Sequence, residues 1–165
     1  MTKTNVIAEP GKQAIVITRV FDAPRERLYN AYTDPNLLPE WWGPKYMTTT
    51  VDKMDVRKGG VWRFVQRDVN GEEYAFNGVY HESIFPERLV YTFEFEGMPG
   101  HVLLETVTFE ELPDGKTKLT DITVFQTLEA RDRMIQSGAE EGAEEAMNRF
   151  AELLAKKSET PRLSS

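Results

Sequence analysis

The stretch that decides the fold is SGAEEGAEEAMNRFAELLAKK, residues 137–157, the only long segment whose apolar residues recur with a helical period. At about 100° per residue its apolar positions fall within an arc of roughly 120°. These positions are Gly142, Ala143, Ala146, Met147, Phe150, Leu153 and Leu154. The opposite arc is rich in glutamate. The sequence therefore predicts an amphipathic helix that packs its apolar face on another element.

The apolar face of this helix changes in size along its length. Its first half carries small residues such as Ala139, Ala143 and Ala146, whereas its second half carries Met147 and Phe150. We therefore expect the second half to anchor the helix. The first half either approaches its partner very closely or leaves a space there.

The partner is predicted upstream, where the chain is strand-rich. Residues 13–21 are β-branched, but Arg19 shares its parity with apolar residues, which leaves the inward face of this strand open. Short helical patterns follow over residues 24–32 and near Leu38, and from residue 46 the apolar period becomes two. The strands of this part are predicted at residues 48–56, 61–69, 74–84, 89–95, 101–112 and 116–126.

Short turns such as Asn70-Gly71 join these strands, and each strand has one aromatic and one charged face. This pattern is typical of an antiparallel sheet with one buried side. The fold class is therefore α+β, with the order strand, two short helices, six strands and a long C-terminal helix. The simplest packing curls the antiparallel sheet around that helix.

Length and composition restrict the possible functions. The 165 residues fit one domain, which we place at residues 13–157 between polar tails at 1–12 and 158–165 that are expected to be frayed. The chain has no cysteine, and its net charge of −7 argues against nucleic-acid binding. No apolar run is long enough for membrane insertion and no signal peptide is visible, so a cytoplasmic location is expected.

Several local motifs resemble the START-like (SRPBCC) superfamily, and within it the AHSA-type group named for the C-terminal domain of the heat-shock protein 90 ATPase activator. The resemblance covers about residues 14–154. The matching motifs are RVFDAPRERLYNAYTDP (19–35), WWGP (41–44), DVRKGG (55–60), GVYHESIFPERLVYT (78–92), VTFEE (107–111) and SGAEEG (137–142). It implies a helix-grip fold, and superfamily relatives bind lipids, hormones or polyketides in a cavity between the sheet and the long helix.

A ligand would contact the aromatic face of the sheet and the facing side of the helix. The residues predicted to bind it are Trp42, Trp62, Phe64, Phe76, Tyr80, Tyr91, Phe93, Ala143, Met147 and Phe150. The alternative interpretation is an ordinary packed core, in which aromatic residues are common. Trp42, together with Trp41, either lines the mouth of the cavity or closes the end of the sheet.

Candidate catalytic residues are few. Glu82 shares its face with Tyr80, and Glu105 shares its face with Phe109, so a carboxylate buried there would have a raised pKa and could act as acid or base. Alternatively, both carboxylates lie at the rim of the sheet or are turned outward by a bulge. His81 and His101 lack the spacing of a metal site, and neither a metal nor a cofactor is expected.

Three functions remain open at this point. The first is binding of a small hydrophobic or aromatic molecule in a cavity between the sheet and the C-terminal helix. The second, suggested by the resemblance, is activation of a chaperone ATPase by protein–protein contact. The third is an enzyme of the cyclase or aromatase kind that uses a pocket carboxylate or tyrosine.

Overall fold

Eight strands form one antiparallel sheet in the computed structural model, which describes residues 3–159. The strands are β1 Asn5–Ile7, β2 Ala14–Phe21, β3 Thr48–Met54, β4 Val61–Arg67, β5 Glu73–Ile84, β6 Arg88–Phe95, β7 Val102–Leu112 and β8 Lys116–Val124. The helices are α1 Arg25–Thr33, α2 Leu128–Gln136 and α3 Ala139–Glu159.

The order of the strands across the sheet is β1-β2-β8-β7-β6-β5-β4-β3. Strands β3 to β8 form a meander of neighbouring hairpins, as the turn motifs predict. β2 and β3 lie far apart in the sheet, and α1 with the 3-10 turn Leu38–Glu40 connects them. The predicted α+β helix-grip fold, a curved sheet around a long C-terminal helix, is confirmed.

The core lies under the second half of α3. Phe150 is fully buried, and its ring makes edge contacts with Phe21 at 5.1 Å, Tyr32 at 5.4 Å and Trp41 at 4.7 Å between ring centroids. Leu153 and Leu154 are also buried. The large residues therefore anchor the helix, as their position on the apolar face predicts.

The N-terminal segment differs from the predicted tail. Asn5–Ile7 pair with β2 as the edge strand β1, and Thr4 is buried, where its hydroxyl accepts a hydrogen bond from Arg19 Nη1 at 3.1 Å. Arg19 thus points inward with its apolar neighbours on β2. A strand of three residues beside a Pro-Gly pair gives too short a pattern to be predicted from sequence. It forms because it pairs with β2, not because its residues strongly prefer a strand.

Helix α2 is absent from the sequence-based prediction. It begins after Thr127, whose hydroxyl caps it by accepting from Ala130 N at 3.0 Å. The residue that α2 buries is Arg131, which donates to the backbone oxygens of Glu9 and Ala14. Because the buried position of α2 is an arginine and not an aliphatic residue, its apolar residues do not recur with a helical period that sequence analysis could recognise.

The start and end of α3 also differ slightly from the prediction. Gly138, with φ of +101°, separates α2 from α3, so the long helix begins at Ala139 rather than at Ser137. At its other end the helix continues to Glu159. The rest of the predicted C-terminal tail, residues 160–165, lies outside the described residues.

Candidate functional site

A cavity of about 140 Å³ lies between the sheet and the first half of α3. It opens beside the half-buried Ala143 and Ala146, where the helix has no large side chain to fill the space. Its wall is made of Ile17, Tyr32, Trp41, Trp42, Gly43, Tyr91, Glu105, Asp121, Ala143, Ala146 and Met147. The cavity thus lies beside the half of α3 that carries small side chains.

Two carboxyl groups lie side by side in this wall. Glu105 on β7 pairs with Thr123 on β8, and Asp121 lies two residues before Thr123 on the same face of β8. The Thr123 hydroxyl lies 3.2 Å from Glu105 Oε2 and 3.0 Å from Asp121 Oδ1. Asp121 is 9% exposed and Glu105 is half-buried. The three residues therefore form one hydrogen-bonded group, which we name the acid pair after Glu105 and Asp121.

Burial favours protonation of the acid pair. Thr123 has a single hydroxyl hydrogen, so it donates to one carboxylate at a time, and a proton on the other carboxyl would let that group donate to Thr123 Oγ1. Burial raises the pKa of Asp121 well above its usual value, and the neighbouring Glu105 raises it further. Burial likewise raises the pKa of Glu105, against a lowering effect of hydrogen bonds from Tyr91 and Thr123.

Two tyrosines complete the polar part of the cavity. Tyr91 on β6 pairs directly with Glu105 and hydrogen-bonds to its carboxyl group. Burial and the nearby acid pair raise the pKa of both Tyr91 and Tyr32 well above the usual value. Both phenols therefore stay neutral and keep a hydroxyl hydrogen that can be donated.

The remaining aromatic residues of the sheet surround Trp42 rather than the cavity. The Trp42 ring lies 5.2 Å from Phe64, 5.3 Å from Phe76 and 6.2 Å from Phe93 between centroids. The space left beside Trp62 and Tyr80 in this cluster is about 20 Å³, enough for one water molecule. The Trp42 ring therefore fills the space among these aromatic side chains.

A larger, open groove of about 510 Å³ adjoins the cavity and shares Trp42 and Gly43 with it. The exposed Tyr46 and Met134 and the half-buried Phe76 lie on its outer side. Trp42 and Gly43 therefore lie between the groove and the cavity.

The turn that carries Trp42 is held at both sides. From α3, Arg149 donates to the backbone oxygens of Gly43 and Glu40, and the Glu145 carboxylate accepts from Lys45 N at 2.8 Å. Gly43 has φ of +84°, and a Cβ there would lie 1.6 Å from Gln66 Nε2. The close contact with Gln66 and the positive φ explain the glycine.

The predicted ligand-binding residues divide into three groups. The cavity brings together Trp42, Tyr91, Ala143 and Met147. The aromatic cluster around Trp42 contains Trp62, Phe64, Phe76, Tyr80 and Phe93. Phe150 lies in the core beyond the cavity.

The two catalytic candidates Glu82 and Tyr80 lie outside the cavity. The pairing of β5 with β6 shifts between Tyr80 and Glu82, so a bulge separates the two residues. Glu82 has a side chain 43% exposed, which forms an ion pair with Arg88 at 2.7 Å. Tyr80 is buried in the aromatic cluster, and burial raises the pKa of its hydroxyl. Of the carboxylates considered from sequence, Glu105 is the one that faces the cavity.

Asp121, Thr123 and Tyr32 are polar site residues that sequence analysis missed. A signal for Asp121 exists in the hairpin turn at Pro113–Gly115, which fixes the register in which Leu112 pairs with Lys116. Counting back from that turn places Glu105 opposite Thr123, and hence next to Asp121. Tyr32 comes from α1, whose docking on β7 has no comparable local signal.

Two further features are absent from residues 3–159. No group of three or more histidine or acidic side chains converges there as it would around a metal ion. No helix in the same part of the chain is both long and apolar enough to cross a bilayer.

Comparison with known proteins gives a consistent family and fold. Residues 22–155 match the family described as Activator of Hsp90 ATPase homolog 1-like protein. The crystal structure of protein Ms6760 from Mycobacterium smegmatis is 28% identical with a TM-score of 0.82, over 96% of this chain and 99% of that one. No curated protein sequence matches the chain.

Two more solved structures are similar. Protein CV1439 from Chromobacterium violaceum is 28% identical with a TM-score of 0.74, over 86% of this chain and 96% of that one. The solution structure of a protein from Arthrobacter aurescens is 25% identical with a TM-score of 0.85, over 92% of this chain and 91% of that one.

Proposed function

The chain belongs to the family of Activator of Hsp90 ATPase homolog 1-like proteins, and we propose that it binds a small aromatic or apolar molecule between the sheet and α3. The observation that carries this proposal is the cavity of about 140 Å³ beside Ala143 and Ala146. An apolar cavity with a few convergent polar groups is the usual form of a small-molecule site. Here the acid pair and two tyrosines supply the polar groups.

The volume of the cavity limits the ligand. A cavity of about 150 Å³ holds one benzene molecule, so this cavity accommodates a single six-membered ring. A larger ligand would extend past Trp42 into the open groove, where Phe76 and Tyr46 offer further aromatic surface.

Native mass spectrometry of the gently purified protein tests the proposal. We expect a bound species whose added mass corresponds to a small organic molecule. The matched variant Ala143→Phe should purify without it, because the phenyl ring occupies the cavity. An unliganded wild-type protein that also fails to bind single-ring compounds would contradict the proposal.

The acid pair favours catalysis as a second candidate function. Two buried carboxyl groups that share a proton can act as acid and base on one substrate. The molecule released from the native complex should then change mass when it is incubated with fresh protein. Asp121→Asn should abolish that change in mass. If the wild-type protein also leaves the mass unchanged, catalysis is excluded and only the binding function remains.

The family description raises chaperone ATPase activation as a separate test. Such activation would work through surface contact and would be unaffected by filling the cavity. An ATPase assay with the cognate chaperone therefore separates the two functions. If the wild type and Ala143→Phe stimulate the ATPase equally, the activity belongs to the protein surface and not to the cavity.

A further inference from the structure

We infer that the ligand of this cavity carries a protonated amine, which binds to the acid pair within a ring of aromatic side chains. This inference rests on the proposed binding function and specifies the chemical class of the ligand. It is drawn from three features of the cavity: an unpartnered carboxyl oxygen, uncompensated negative charge and aromatic walls.

The unpartnered oxygen belongs to Asp121. Its Oδ1 lies 3.0 Å from the Thr123 hydroxyl, whereas its Oδ2 has no hydrogen-bond partner within residues 3–159. The residue is 9% exposed and lines the cavity. Because Asp121 lines the cavity, a ligand N–H group placed there would give Oδ2 the hydrogen-bond donor that the protein does not supply.

The negative charge of the acid pair is uncompensated by protein cations. The acid pair carries negative charge whenever at least one of its two carboxyls is ionised. Neither carboxylate lies within 4 Å of a lysine or arginine nitrogen in the described part of the chain. A monocation supplies the missing charge, and it does so where water is largely excluded and electrostatic attraction is strong.

The charged and titratable groups around the acid pair come from three elements. Tyr91 faces it from β6 and Tyr32 from α1. Arg19 lies on the same face of β2, but its guanidinium is directed elsewhere: Nη1 donates to Thr4 at 3.1 Å and to Asn148 at 2.7 Å. The facing side of α3 contributes Ala143, Ala146 and Met147 to the cavity wall, which carry no charge.

Aromatic walls favour the same class of ligand. Tyr32, Trp41 and Tyr91 line the cavity together with the acid pair. The faces of such rings attract an organic cation, by about 2 kcal/mol or more where water is excluded. The rings also accept the apolar part of the ligand, so one small molecule with a ring and an ammonium group matches both requirements.

A pair of nearly isosteric compounds tests this inference. Cyclohexylamine is an ammonium ion at neutral pH, and cyclohexanol has the same ring with a neutral hydroxyl group. Isothermal titration calorimetry at pH 7.5 should show at least tenfold tighter binding of cyclohexylamine to the wild type. Affinity for the amine should fall as the pH is lowered, because protonation of the acid pair removes the negative charge that attracts the ammonium group.

Variants locate the binding site. Asp121→Asn should weaken amine binding at least tenfold, and Glu105→Gln serves as a second variant if the first one folds poorly. Glu144→Gln removes one exposed carboxylate from the outer face of α3 and should change the affinity less than twofold. Equal losses in Glu144→Gln and Asp121→Asn would place the amine on the acidic surface and overturn the inference.

The remaining outcomes separate this inference from the proposed function. Equal affinity for cyclohexanol and cyclohexylamine would overturn the inference that the ligand is an amine. A neutral molecule found by native mass spectrometry would do the same. Both results would leave the proposed binding function intact. Binding of neither compound would also contradict the inference, and native mass spectrometry then decides whether the binding function falls with it.

Discussion

Thr123 carries one hydroxyl hydrogen, and two carboxyl groups compete for it. At the scale of single residues this is the feature that most determines the chemistry of the cavity. The shared hydroxyl and the raised pKa values of Glu105 and Asp121 point in the same direction, because both favour a proton on one of the two carboxyls. The site is therefore sensitive to pH in a direction that can be predicted.

Asp121→Asn should stabilise the protein at pH 8, by about 1–3 kcal/mol, the desolvation penalty of a poorly paired buried group, because the amide carries no charge. A carboxyl whose pKa is raised in the folded state contributes stability that is complete below its unfolded pKa of about 4. That contribution is lost as the pH rises through the folded pKa. The free energy of unfolding of the variant should therefore rise relative to that of the wild type as the pH increases.

Urea unfolding of both proteins at pH 5 and pH 8 measures this effect. The free energy of unfolding of the wild type should decline between these values more than that of Asp121→Asn. Glu144→Gln is the control, because an exposed carboxylate should produce no such difference. Parallel pH dependence in wild type and Asp121→Asn would show that Asp121 is ionised normally.

At the scale of secondary-structure elements, α3 has an anchoring half and an open half. Phe150 is fully buried among Phe21, Tyr32 and Trp41, whereas Ala143 borders the cavity. We predict that Phe150→Ala costs about 3–5 kcal/mol, as for other buried aromatic residues. Ala143→Phe should cost less than about 1 kcal/mol, because its ring enters existing space.

Thermal and chemical unfolding of the two variants check this contrast. Overpacking of a filled core costs about 1–3 kcal/mol. A loss of that size in Ala143→Phe would mean that the region beside Ala143 is closed in solution.

Gly142 gives a second prediction for α3. The sequence places it on the apolar face, but in the structure it is exposed, and a Cβ added there would meet no atom within 4 Å. Gly142→Ala should therefore stabilise the protein by about 0.5–1 kcal/mol through helix propensity alone. Gly138→Ala is the matched control and should destabilise, since φ at Gly138 is +101°. A destabilising Gly142→Ala would indicate that this position is covered in solution.

These elements show which features a sequence can reveal. Periodic apolar residues predicted α3 and the meander, because both bury a continuous face over many residues. β1 and α2 escaped prediction for the opposite reason: β1 is three residues long, and α2 buries Arg131 rather than an apolar stripe. At the site, parity found Glu105, and the register of the hairpin that ends at Lys116 would also have found Asp121.

At the scale of the whole molecule, the cavity exists only when distant parts of the chain have come together. Ile17 of β2 pairs with Asp121 of β8, and Tyr32, Trp42 and Met147 close the remaining sides. Local sequence specifies none of these contacts. Their arrangement depends on the crossover between β2 and β3, which carries α1 and the Trp42 turn over the concave face.

This arrangement makes Trp42 the partition between the inner cavity and the outer groove, and its removal gives the last prediction. Trp42→Ala should join the space of about 140 Å³ to the groove of about 510 Å³. A two-ring fluorescent probe such as 2-naphthol should then bind at least tenfold more tightly than to the wild type. Val69→Ala is the control, because Val69 is 85% exposed and lines neither the cavity nor the groove. Equal binding of the probe to wild type and Trp42→Ala would show that Trp42 does not limit access, because the tryptophan already moves aside in solution.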